Sequence, residues 1–185
     1  MSPQAVRPLS LTAMVGGALY VVAGLVQLTS PEQSDPFSRT SDYLIEALLA
    51  LSLLLTLAGF VALHLLLRAG GYRGLRGWTG FRAAALGQGA MLVSTVVPLV
   101  TGSLALGFLY FAGVCLLLVG LALLPVATYR AAILPHWSAY LVAALAAIIF
   151  GGIGVVVVGV VWLALAYVLL SKGHAMVGRS SRDVR

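Results

Sequence analysis

Residues 135–172 read PHWSAYLVAALAAIIFGGIGVVVVGVVWLALAYVLLSK, and how this stretch folds fixes the topology of everything before it. Between Arg130 and Lys172 no residue carries a full charge at neutral pH. As one helix rising about 1.5 Å per residue, residues 137–170 would reach roughly 51 Å, against a bilayer core of about 30 Å. Two helices turning at Gly151, Gly152 and Gly154 each come close to spanning length. The stretch therefore predicts spans at about 136–150 and 153–171. The first is short, so a re-entrant hairpin that stops part-way is the alternative.

Composition sets the class. A chain of 185 residues that is 61% hydrophobic and 9% charged has too much apolar surface to hide inside a water-soluble domain of this size. It reads as an all-α, polytopic integral membrane protein. The single cysteine, Cys115, leaves no internal disulfide, CxxC redox pair or thiolate metal cage within one chain. The net charge of +6 is spread over loops, chain ends and span boundaries, where a membrane surface accounts for it; nucleic acid is not an expected partner.

Four more spans fall at about 9–29, 43–68, 81–101 and 104–129, giving six helices in three hairpins over residues 1–175 and a basic tail at 176–185. Arg7 precedes an apolar run of signal-peptide character, but the run is too long for one and reads as a retained span. Asp42 is placed to N-cap the second span. The glycine- and arginine-rich segment 71–82 reads as a flexible connector, and Pro98 and Pro125 as kinks. With six spans, Arg7, Arg68, Arg73, Arg76, Arg82, Arg130 and Lys172 fall on one side, while Glu32, Asp35, Asp42 and Glu46 fall on the other. The positive-inside rule then puts both termini in the cytoplasm and the protein in the cell membrane.

Few polar groups fall inside the spans. Gln27 and Glu46 lie at matching depth near the outer ends of spans one and two, placed to hydrogen-bond if those helices are neighbours. His64 and Gln88 form a similar candidate pair near the inner ends of spans two and three. Glu46 and His64 are about 27 Å apart along one helix and cannot touch; they read either as a polar track with a protonatable group at each mouth or as a helix-start charge and a snorkelling imidazole. Arg73, Arg76 and Arg82 are the candidates for a lipid headgroup. Ala139, Ala143, Ala147 and Gly151 recur at i+4 and predict a helix-packing seam in span five, intramolecular or between copies. No catalytic constellation, metal-ligand cluster or cofactor motif is present.

Function is therefore expected to be non-enzymatic: an accessory, structural or lipid-binding subunit whose partners are membrane lipids, further copies of itself or a larger membrane complex. A small-solute or ion transporter or channel using Glu46 and His64 is the alternative, and an intramembrane enzyme with an unseen cofactor the second.

Overall fold

The computed structural model describes residues 5–30, 39–72, 74–102 and 106–180, with side chains throughout except at 148–151 and 173–180. These residues form six α-helices and no strand: α1 (Val6–Thr29), α2 (Thr40–Ala69), α3 (Leu75–Thr101), α4 (Gly107–Ala131), α5 (Trp137–Ala144) and α6 (Gly151–Ser180), with a 3-10 stretch at Leu145–Phe150 before the last. All but α5 are long and apolar enough to cross a membrane, the qualifying part of α6 being Gly152–Lys172.

Helix ends follow their local chemistry. α2 begins at Thr40 rather than at Asp42, and the Asp42 carboxylate accepts the backbone N–H of Arg39 at 3.2 Å. Asp42 thus satisfies an otherwise orphan donor from inside the first turn instead of from the N-cap. α3 ends on Gly102, whose φ of 64° suits a residue without a Cβ and whose N–H donates to the Pro98 carbonyl at 2.8 Å. The expected flexible connector at 71–82 is helical from Leu75 onward. Gly71, with φ 81° and nothing near it, makes the turn, whereas Gly80 serves contact: it faces Leu123 and Leu124 of α4, which a Cβ there would press at 3.0–3.2 Å.

α3 packs chiefly on α4, and α1 on both α2 and α6, while α2 joins the two groups through α3. The first two expected hairpins pack closely along their length, and the third, residues 137–150 with α6, is packed more loosely. The main partner of α6, however, is α1 and not α5, and glycine spacing is the reason. Gly17 and Gly24 stand two turns apart on α1, as do Gly152 and Gly159 on α6, so two flat strips meet. A Cβ built at Gly159 would lie 2.7 Å from the Gly17 carbonyl, and one at Gly17 would lie 3.0 Å from that of Gly159. Backbones this close are how helices gain dispersion energy in lipid, where no hydrophobic force drives them together. Trp162 fills the space beside this seam, 3% exposed and edge-on to Phe60 with ring centres 5.0 Å apart.

These contacts also place residues 137–150. Ile133 touches the end of α2 at Gly70, whereas Gly152 sits against Gln27 and Leu28 at the end of α1. The intervening segment therefore runs the length of the bundle instead of turning part-way, over roughly 24 Å at 1.5 Å per α-helical and 2.0 Å per 3-10 residue.

The small-residue seam expected on this segment does not form a buried face. Ser138, Ala139, Val142 and Leu145 are buried, Ala143 is exposed and Ala147 is half-buried; the surroundings of Gly151 lie outside the described side chains. The buried stripe is centred on Val142, about 100° around the helix from Ala143, and the 3-10 winding beyond Ala144 breaks the i+4 register. Val142 and Leu145 fill core volume on this face beside Ser138 and Ala139, while Trp137 and Tyr140 stay exposed.

Candidate functional site

At one end of the bundle the last turns of α1 and α3 and the first turns of α2 and α4 leave a cavity of about 330 Å³. Polar groups on its wall are Gln27, Glu46, Tyr20, Tyr110, Ser94 and Thr95; Met91, Pro98 and Val155 supply apolar surface. Each helix arrives there for a local reason. Gln27 is in the last turn of α1 and Glu46 in the second turn of α2, so antiparallel pairing brings both to the same end of the bundle. Pro98 cannot donate to the helix ladder, and Ser94 donates its hydroxyl to the Leu106 carbonyl at 3.0 Å, tying the start of α4 to α3. Among the described residues no hydrogen bond joins Gln27 to Glu46. Glu46 is half-buried and within electrostatic reach of Tyr110, which in turn reaches Tyr20.

The polar surface continues inward from this cavity. Tyr20, 2% exposed, hydrogen-bonds the Thr56 side chain. Gln88 donates its side-chain amide to the Thr56 hydroxyl at 2.7 Å and to the Leu53 carbonyl. The expected His64–Gln88 pair is thus not made. The cause is register: Thr56 and Gln88 are each sixteen residues from Tyr72 at the α2–α3 turn, whereas His64 is eight before it and finds Phe81, nine after. Beyond Gln88 the Phe60–Trp162 pair and fully buried Leu63 close the bundle.

His64 lies at the opposite end. Its ring stacks on Phe81, centres 4.4 Å apart at 16°, and approaches Trp78 at 5.4 Å. Of the headgroup candidates, Arg82 lies over Trp78 at 4.1 Å, Arg76 is exposed on the first turn of α3, and Arg73 lies outside the described residues. Glu46 and His64 therefore occupy separate ends, as their spacing requires.

Tyr20 and Tyr110 went unnoticed in the sequence reading. A tyrosine in the middle of an apolar span, as Tyr20 is, was the available signal, since a buried hydroxyl in lipid needs a partner. Comparison with protein-family models, curated proteins and solved structures returns no match, so the site's chemistry is read from its own geometry.

Proposed function

We propose that this protein is a small multi-pass membrane carrier that binds a compact solute bearing a positive charge, with Glu46 as its counter-charge. The observation that carries the reading is the cavity that Glu46 shares with Gln27 and two tyrosines. A carboxylate at a helix start facing headgroups needs no cavity. One lining a cavity between spans is costly to keep and marks a solute path. A volume of about 330 Å³ is at the small end of ligand sites, and tyrosine rings and a methionine are surfaces that attract organic cations. We prefer this reading to the accessory role expected from sequence because Glu46 lines this cavity.

In this reading the chain crosses the cell membrane six times with both termini cytoplasmic. Supporting it, Arg68, Arg76, Arg82 and Arg130 sit at the end of the bundle away from Asp42 and Glu46, as the positive-inside rule expects. The solute enters from the outer, Glu46 end, and the closed Phe60–Trp162 layer is the barrier that must open for passage.

The test is equilibrium binding of alkylammonium ions, from methylammonium to tetraethylammonium, to the purified protein. Saturable binding that weakens at least about tenfold in Glu46→Gln, the order expected for losing a charge-assisted contact, supports the reading. No binding across the series, or equal binding by the variant, sinks it.

A further inference from the structure

At the His64 end, the junction of α2 and α3 encloses a second, larger cavity of about 530 Å³, which the solute path does not use. We infer that this cavity holds the phosphate of an anionic phospholipid, gripped by Arg68, the first turn of α3 and the Arg82–Trp78 pair.

Its charge is of one sign. Arg68, His64 and Tyr72 line the wall, and no Asp or Glu does. Among the described residues the only acids are Asp42 and Glu46, at the far end of the bundle. The cations are held in place: the guanidinium carbons of Arg68 and Arg82 lie 5.5 and 4.1 Å from the centre of the Trp78 ring. Stacked guanidinium groups keep their forked N–H donors available for phosphate oxygens.

Backbone donors add to them. α3 opens on the cavity at Gly74 and Leu75, with no side-chain cap and no acid in its first turn. Its free N–H groups and positive dipole end favour an anion. The Tyr72 ring folds over Gly74 and Gly77, where any Cβ would collide with it, bringing a hydroxyl to the same place.

The choice of a lipid over a free anion rests on what borders the site. Leu67 and Leu75 are on its wall, and Leu75 is 74% exposed. An acyl chain covers such a residue and a soluble phosphate does not. Trp78 and Tyr72 are also the residue types that sit at headgroup level.

The experiment titrates the purified full-length protein in uncharged detergent with short-chain phosphatidylglycerol, short-chain phosphatidylcholine and inorganic phosphate, reading tryptophan fluorescence and melting temperature. The expected result is saturable binding of phosphatidylglycerol at least about tenfold tighter than of phosphatidylcholine, and no response to inorganic phosphate at equal concentration. Arg68→Gln and Arg82→Gln should each weaken it by about tenfold or more, as loss of a charge-assisted phosphate contact does. Arg130→Gln, a basic residue at the same end but outside the cavity, should leave it unchanged. Equal binding of the two lipids, equal loss in Arg130→Gln, or full affinity in both Arg68→Gln, on the cavity wall, and Arg82→Gln, over the wall residue Trp78, overturns the site. Tight binding of inorganic phosphate alone overturns its assignment to lipid. Arg68 and Arg82 are exposed and on different helices, so each variant serves if the other fails to fold.

Discussion

Replacing Gly159 by alanine adds one methyl group where α6 meets α1. That methyl would lie 2.7 Å from the Gly17 carbonyl oxygen and 2.7 Å from the Val21 nitrogen, against ordinary contact distances of 3.4–4 Å. Both neighbours are backbone, which no rotamer change relieves, so the helices must part by about 0.7 Å or more. A gap of that size forfeits a quarter to a half of the dispersion energy of the contacts it opens, and overpacking of this kind costs about 1–3 kcal/mol. Alanine's better helix propensity returns about 1 kcal/mol, leaving a net change of about 0–2 kcal/mol and a gap of about 1–3 kcal/mol from a variant that gains the propensity alone. Gly89→Ala is the internal control, since a Cβ there meets nothing within 4 Å, and the same propensity term should make it neutral or stabilising by up to about 1 kcal/mol. Equilibrium unfolding in mixed micelles of SDS and a mild detergent reads both. Equal stability of the two variants would refute the close approach of α1 and α6.

A double-mutant cycle between Thr56→Val and Gln88→Leu should give a coupling of about 0.6–1.7 kcal/mol, the range for hydrogen bonds between membrane helices, while the cycle between His64→Ala and Gln88→Leu should give none. Ala139→Leu should cost about 1–3 kcal/mol by overpacking, whereas Ala143→Leu, exposed, should stay within about 0.5 kcal/mol; thermal melts in detergent distinguish the two. A cysteine at Ser180 should react with an impermeant maleimide only after cells are opened and one at Ser34 in intact cells; the reverse pattern would contradict the six-span topology.

Composition and the length of apolar runs made five long apolar helices legible, the expected 153–171 among them as Gly152–Lys172. The expected 9–29 became Val6–Thr29, and 104–129 became Gly107–Ala131. These succeed because span length is set by the bilayer and not by neighbours. What failed was everything set by which face meets which helix. The glycines at 74–80 look like a loop by composition, and only the Tyr72 ring over Gly74 and Gly77 and the α4 surface opposite Gly80 make them contact positions. The alanine stripe of α5 has the right spacing, but Val142 and Leu145 win the buried face. Of the candidate site, Gln27 and Glu46 were brought together by their similar depth near the outer ends of adjacent spans; they share the cavity wall without a hydrogen bond between them. Equal spacing from Tyr72 would have matched Gln88 with Thr56 and freed His64 for Phe81.

The central claim is that Glu46 holds a cationic solute on its way through the bundle. Its most direct test is uptake of labelled tetraethylammonium into proteoliposomes driven by an outward gradient of the unlabelled ion, with Glu46→Gln and Glu46→Asp alongside the parent. The account predicts protein-dependent uptake by the parent, partial uptake with aspartate, and loss of at least about nine-tenths of it with glutamine, the fraction that a tenfold weaker site implies. Uptake by Glu46→Gln equal to that of the parent would contradict it.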